Sequence, residues 1–568
     1  MRVGDRLAHI LIEYGIPYVF GVPGGQTIPL YQGIMMSEGR IRHVLMRDER
    51  SAGYAADAFA RLTGKTAVCD ATVGPGATNL VSPLAEAYCS SIPIVAIISD
   101  VPRAWDHLRV RGNASQAIRQ MEIFSTVSKW QTNVTDPAAL DDIVDTAFRV
   151  ATSGRPGPVV VFIPEDIFAN PFPQGARRQR VRSARFPRHR SGPDPEAALQ
   201  ARELILQSHK PVLFVGGGAL ISGAFDEIRR LAEHLNAPVA TTISGKGILE
   251  ETHPLAIGVA GSMGNPMTNE IIDEADLVLF IGTKTGQIAT KSWSLPKAEV
   301  STIHLDVDPQ EIDRNFVNSL PLVADARVGI RSLLDALGDE QPKTQWDCLH
   351  LSKRLHDWYV QALDKLQPSG EHLKPQAIMG VVNRFVAEDD LLVCDASLAS
   401  GWVAVYCQLG GKPGRRYVAP RGLAGLGWGA AAAIGAALAT EGKKRILHFA
   451  GDGGFAYSVQ ELEVMARLDL PVVNIIFNND VLGWIKHVEI SKFTEQGFIS
   501  TDFKHVDFAT VAVGFGARGH SVGNLEELAS ALDEEQVPEG PAVIDIASDQ
   551  WETPVLHYAP RVASWREA

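Results

Sequence analysis

Short β-branched runs alternate with segments of helical period along this chain. That alternation restricts it to α/β layers on parallel sheets, because a strand must return in the same direction through a crossover helix packed on the sheet face. TAVCDAT (66–72) and SIPIVAIIS (91–99) are such runs, and SAGYAADAFARLTG (51–64) is a helical segment. The pattern recurs from KPVLFVGGG through ADLVLFIGT to EVSTIHLDVDP, and again in DDLLVCDAS, KRILHFAGDGG, PVVNIIFNND and PAVIDIA. At 568 residues the chain exceeds what one hydrophobic core serves. Three doubly wound α/β domains with parallel sheets are therefore predicted.

The first domain is expected over residues 1–172, closing with the strand in PGPVVVFIPEDI. Residues 173–194 are basic, Pro-containing and aperiodic, as an exposed linker would be. A central domain over 195–337, a polar connector over 338–370 and a third domain over 371–568 complete the division, with the C-terminal DQWETPVLHYAPRVASWREA its least assignable part. The net charge of -13 opposes attraction to a polyanion, so no nucleic-acid partner is expected. Cys69, Cys89, Cys348, Cys394 and Cys407 include no C-x-x-C pair and read as buried apolar residues. MRVGDRLAHILIEYG carries no signal-peptide pattern, and Gly427–Ala439 is too short to span a bilayer. A cytoplasmic protein with no membrane partner is expected.

The strand RILHFA runs into Gly451-Asp452-Gly453-Gly454 and then into a helical segment. Glycines admit a ligand close to the backbone, and N–H groups at a helix start attract an anion such as a diphosphate. With 24 residues between Gly453 and Asn478, the next strand ends in Asn478-Asn479-Asp480. Amide and carboxylate oxygens of this kind suit a hard cation such as Mg²⁺. Alone, GDG is an ordinary turn; paired with NN it is far more specific.

The GDG and NN pair, with FGVPGGQTIPLY (20–31), IRHVLMRDERSAGYAADAFARLTGK (41–65) and VGPGATN (73–79) in order, makes the whole chain resemble the acetolactate synthase branch of the thiamine diphosphate (ThDP)-dependent 2-keto acid decarboxylases and carboligases. The resemblance implies a pyrimidine-binding first domain, a Rossmann-like central domain and a diphosphate-binding third domain. It implies that Asp452, Asn479 and the carbonyl of Val481 bind Mg²⁺, and that Gly451, Gly453 and Gly454 hold the diphosphate. Glu49 would exchange a proton with N1′ of the aminopyrimidine, Leu426 would wedge the cofactor into its folded form, and the Ala424 carbonyl would accept from its 4′-amino group. Gly25 would offer its N–H to a substrate oxyanion. Gln116 and Lys129 align with active-site residues of the family. Because Glu49 and Asp452 must address opposite ends of one ThDP molecule, the resemblance implies a homodimer at least, with a tetramer open.

The chain also departs from the family. Where relatives carry an arginine-rich Gly-x-Arg-Phe-Asp-Asp-Arg segment, this chain has Gly282-Thr283-Lys284-Thr285-Gly286-Gln287, with Lys284 and Lys291 as the nearby cations. FAD and the identity of the acceptor are therefore not carried over. Trp484, His487 and Val488 replace typical pocket residues, with His487 a candidate proton relay, and CDASLASGW lacks the usual polar cluster. The Gly216–Gly218 run is too common to argue a dinucleotide site. The leading expectation is decarboxylation of pyruvate or a related 2-keto acid with transfer to a second carbonyl, a 2-hydroxy ketone being an alternative substrate. A 2-hydroxyacyl-CoA lyase, an oxalyl-CoA decarboxylase, another ThDP lyase or hydrolase, and a silent regulatory relative remain alternatives.

Overall fold

In a computed structural model, residues 1–109, 112–173, 182–364, 372–493 and 499–554 are described. Three parallel six-stranded sheets organise them. The first holds β1 (Tyr18–Gly21), β2 (Arg42–Leu45), β3 (Ala67–Ala71), β4 (Ile94–Asp100), β5 (Trp130–Asn133) and β6 (Val159–Pro164), in the order β2-β1-β3-β4-β6-β5. The central sheet holds β7 (Pro211–Val215), β8 (Val239–Thr241), β9 (Ala256–Val259), β10 (Leu277–Ile281), β11 (Ser301–Asp306) and β12 (Ser319–Val323), in the order β12-β11-β10-β7-β8-β9. That is the doubly wound order of dinucleotide-type folds. The third holds β13 (Leu391–Cys394), β14 (Tyr417–Val418), β15 (Ile446–Gly451), β16 (Val472–Asn478), β17 (Arg518–Val522) and β18 (Ala542–Ala547), in the order β14-β13-β15-β16-β18-β17. First and third sheets thus share one topology.

Several expectations about the connections are revised. Part of the linker, 174–181, part of the connector, 365–370, and the tail from 555 lie outside the described residues. The rest of the linker is largely exposed but anchored at three points: Arg182 pairs with Asp145 at 2.7 Å, Phe186 is buried, and Arg190 reaches Asp325 at 2.8 Å in the central domain. The connector contains the helix Cys348–Asp364, and Trp346, Cys348 and Leu351 complete the central core. Cys89 is exposed, unlike the other four cysteines. Among the described residues no helix is long and apolar enough to cross a membrane.

First and third domains share one apolar core, built on the helices Glu49–Thr63 and Trp428–Ala439. Asp48 caps the first helix by accepting from the Arg50 N–H at 2.6 Å, and Gly64 ends it at φ 64. The second reads WGAAAAIGAALA because the partner backbone lies against it: a Cβ on Gly435 would stand 2.0 Å from the Ala55 carbonyl oxygen. Polar groups are buried at the same junction. The Trp428 indole donates to Asp57 at 3.0 Å, and Arg61 bridges Asp57 at 2.8 Å and Glu86 at 2.9 Å.

Glu86 carries the junction into the third domain. Its carboxylate also accepts from Ser90 Oγ at 2.7 Å and from the N–H groups of Gly422, Leu423 and Ala424 at 2.9, 2.6 and 2.9 Å. Burial pushes this carboxyl upward, but Arg61 and the N–H donors outweigh it and hold it below its usual value. Truncation would take one of two carboxylate partners from buried Arg61, which keeps Asp57, and would strip the three loop amides of their shared acceptor. Glu86→Ala is therefore expected to lower stability by ~3–5 kcal/mol, read from the urea unfolding midpoint; an unchanged midpoint would refute this account of the junction.

Candidate active site

β15 ends at Gly451 and runs directly into the short helix Asp452–Ala456, while the neighbouring β16 ends at Asn478. Parallel pairing sets Gly451 opposite Phe477, so both strands deliver their C-terminal residues to one edge. The Asp452 carboxylate accepts from the N–H groups of Gly453 and Asp480, which ties the two segments together. It is buried without a cationic partner among the described residues, and burial with the nearby charge of Asp480 pushes it up to about 7. Asn479 Oδ1 accepts from the Val481 N–H at 3.3 Å, and the Val481 carbonyl accepts from the Gly483 N–H at 2.9 Å, leaving its second lone pair. A carboxylate, an amide oxygen and a carbonyl are hard donors fitted to Mg²⁺, and a cation there would supply the charge that buried Asp452 lacks.

The glycines here are required by close approach. A Cβ on Gly454 would lie 2.6 Å from Asp395 Oδ2, and one on Gly453 would lie 2.9 Å from Leu482 Cδ2. Asp395, just past β13, accepts from the N–H groups of Ala396 at 2.8 Å, Gly427 at 3.0 Å and Gly429 at 3.3 Å. Burial pushes its carboxyl up to about 6. It holds the loop before Trp428 against the Gly454 turn, placing Leu426 Cδ2 3.8 Å from the position a Gly454 Cβ would take. Ala424 lies in the left-handed region at φ 57, a strained conformation for alanine that Glu86 holds through the loop amides.

A cavity of about 420 Å³ joins these groups: Ala424, Leu426, Gly451–Gly454, Asn479 and Val481 all line it, within the range of small-molecule sites. Of the residues read from the sequence as its diphosphate and metal set, every one reaches this wall. Ser397 and Ala399 line it, as do Trp402, Arg421 and Trp484. His487 does not: it is buried, with burial lowering its imidazole below the usual histidine value while backbone hydrogen bonds to Glu552 and Gln550 oppose that.

Glu49, Gly25 and Gln116 are likewise absent from this wall and belong to a separate group in the first domain. Glu49 opens its helix, is 9% exposed and accepts from Asn79 Nδ2 at 3.0 Å. A Cβ on Gly76 would lie 2.9 Å from Glu49 Oε1, and one on Gly74 would lie 2.5 Å from the Gln116 carbonyl oxygen. VGPGATN is therefore a backbone shelf joining Glu49 to Gln116. Gly25 sits nearby in sequence to Gln26, whose Oε1 accepts from Thr72 Oγ1 at 2.9 Å, and has open space around its Cα. Lys129 is elsewhere: its ammonium donates to the carbonyls of Val150, Ser153 and Arg155 at 2.6–2.7 Å, closing the end of the helix Leu140–Thr152. Burial lowers it to about 8.

A second cavity, of about 370 Å³, opens in the central domain beside Gly217, Gly218 and the segment Gly282–Gln287. The Gly216–Gly218 run exists for backbone crossing, since a Cβ on Gly216 would lie 2.4 Å from the Gly282 carbonyl oxygen. Lys284 turns to the Cys89 carbonyl, and Lys291 lines neither cavity. The sequence reading missed Asp395, Glu86, Arg421 and Glu461. Only Asp395, following an apolar strand as Asp452 does, gave a local signal; the others act across domains.

Three segments match family profiles: 1–123 the thiamine pyrophosphate enzyme N-terminal TPP binding domain, 199–337 its central domain and 395–546 its C-terminal TPP binding domain, thiamine pyrophosphate being ThDP. The chain is 32% identical over 561 residues to a probable acetolactate synthase large subunit of Methanocaldococcus jannaschii, covering 97% of this chain and 92% of that one. It is 33% identical over 561 residues to the acetolactate synthase large subunit of Parasynechococcus marenigrum, covering 95% and 86%. With that of Porphyra purpurea it shares 30% over 544 residues, covering 94% and 90%.

Glu461 links the two halves. It is fully buried, accepts from the Arg47 N–H at 3.4 Å with the buried Ser51 hydroxyl close by, the two residues standing on either side of Glu49, and has one oxygen unpartnered. Burial raises its carboxyl from 4.5 to about 7 against those contacts. The folded state holds this proton more tightly than the unfolded chain, so the stability it contributes is full below pH 4.5 and is lost as pH rises through about 7. Glu461→Gln should remove that loss: its urea midpoint should gain on the parent chain from about pH 5 to about pH 8, and a pH-independent difference would count against it.

Proposed function

The chain belongs to the ThDP-dependent, acetolactate synthase-like enzymes, which makes it a carboligase, and from that premise we propose that it uses Mg²⁺ to decarboxylate pyruvate or a related 2-keto acid and to transfer the resulting unit to a second carbonyl. When bound, ThDP supplies the nucleophilic carbon and the electron sink for that chemistry. The observation that carries the reading is the convergence of Asp452, Asn479 and the Val481 carbonyl with the glycine turn on one cavity wall.

Asp452, Asn479 and Val481 would hold the cation, and the unobstructed backbone of Gly453 and Gly454 would receive the diphosphate. Leu426 would press against the centre of the cofactor, and the Ala424 carbonyl would orient its amino group. Glu49, kept out of bulk water and fixed by Asn79, would hold and release the proton at the pyrimidine end. Gly25 has the clearance to offer an N–H to an oxyanion, and Gln116 flanks the same shelf. No role is proposed for His487, which faces the Gln550–Glu552 backbone.

Because Glu49 does not line its own chain's cavity, we propose that it serves the cavity of a second protomer, with a homodimer as the smallest working unit. FAD has no part in the reading, since the segment at Gly282–Gln287 brings no arginine and its lysine is spent on the Cys89 carbonyl.

Incubation with ThDP, Mg²⁺ and pyruvate should consume pyruvate and yield acetolactate or acetoin. Glu49→Gln should lower that rate by at least ~100-fold without loss of fold, the usual scale for a lost general acid–base group. ThDP binding without pyruvate consumption would reject the substrate assignment and direct the search to acyl-CoA thioesters and 2-hydroxy ketones.

A further inference from the structure

Arg421 is the only cationic side chain among the described residues that line the Asp452 cavity, and it also lines the central-domain cavity beside it. The acids on the first wall are Asp452, Asp549 and Glu552. Two of these are already engaged: Glu552 pairs with Lys374 at 2.8 Å and accepts from Gln376 at 2.8 Å, and Asp549 accepts from the N–H groups of Trp551 and Glu552 at 2.6 and 3.0 Å. Arg421 forms no ion pair among the described residues. Its guanidinium reaches only Ser400 Oγ at 3.4 Å and Met263 Sδ at 4.0 Å, both weak partners at those distances.

Glu86, the carboxylate whose charge acts on it, is committed to Arg61 and the three loop amides. Burial lowers the guanidinium below its usual value, and Tyr417 and Glu86 oppose that only in part. A half-buried arginine with unspent donors facing a cavity is a recognition site for a planar anion, because its fork matches a carboxylate. The diphosphate is the other anion this cavity would hold, but among the described residues Arg421 donates to neither the Gly451–Gly454 turn nor the Asn479–Gly483 segment. Its contacts are on Met263 and the helix Leu398–Tyr406.

We propose that Arg421 binds the carboxylate of the substrate, setting a preference for 2-keto acids over neutral carbonyl compounds from the loop that also carries Ala424 and Leu426. This rests on the ThDP-enzyme reading above and supplies the cation that the Gly282–Gln287 segment does not.

The test compares the full-length protein with Arg421→Gln and Arg421→Lys. Pyruvate and its neutral methyl ester are followed by KM with ThDP and Mg²⁺ present and by tryptophan fluorescence without ThDP, since Trp402 and Trp484 share the wall. Loss of a charge-assisted pair predicts a KM and dissociation constant for pyruvate ~10–100-fold higher in Arg421→Gln, little change for the methyl ester, and partial recovery in Arg421→Lys. ThDP·Mg²⁺ affinity should stay within about two-fold of the parent, as no contact to the cofactor cradle is removed. Equal pyruvate binding in parent and variant overturns the proposal, and a collapse of ThDP·Mg²⁺ binding overturns it by assigning Arg421 to the diphosphate. Should Arg421→Gln not fold, Arg421→Lys decides by the same measures. A parent that prefers pyruvate to its ester without consuming it, with the preference lost in the variant, supports Arg421 while rejecting the catalytic reading. Turnover that is indifferent to the variant does the reverse.

Discussion

The Glu86 carboxylate collects Arg61 from one side and three successive loop amides from the other, and the cavity wall depends on that contact. A buried carboxylate is costly unless its lone pairs are filled, so the loop that fills them has little freedom. Ala424 consequently sits at a positive φ, and Leu426 is delivered beside the Gly454 turn. The close approach of the helices Glu49–Thr63 and Trp428–Ala439 brings Arg61 within reach. Small residues there are a packing requirement with a functional consequence: thicker side chains would part the domains and release the loop.

Charge in the cavity is divided by function. Asp452 has backbone donors but no cation among the described residues, and burial pushes its carboxyl up to about 7, an arrangement that favours a divalent ion. Asp395, equally buried, spends its oxygens on the N–H groups of Ala396, Gly427 and Gly429 and so acts as a brace. Arg421 is the reverse case, a cation with unspent donors. Opposite signs at separate places on one wall suit a ligand with a metal-bound diphosphate at one end and an acid group at the other.

The sequence disclosed the elements with strong periodicity and the residues whose chemistry is local. Three parallel sheets followed from alternating apolar runs, and Asp452, Asn479, Gly453 and Gly454 were legible because a strand end, a glycine turn and hard oxygen donors lie together in the chain. The helix Cys348–Asp364 was not, since its polar face hid Cys348 and Leu351, which dock on the central core with Trp346 just before them. Arg182, Phe186 and Arg190 read as linker because their partners are distant in sequence. Glu86 and Glu461 carry no local sign of their role, and His487 is read from its match to a family position on its helix, which does not fix the face it presents.

The central claim is that Glu49 and Asp452 complete one site from two protomers. It is tested by mixing Glu49→Gln protein with Asp452→Ala protein, each inactive alone, under conditions that exchange subunits. Random reassortment gives mixed dimers with one intact site of two, so about a quarter of the parent activity should return. Mixed dimers that form and stay inactive would contradict the account, placing both residues in one protomer's site.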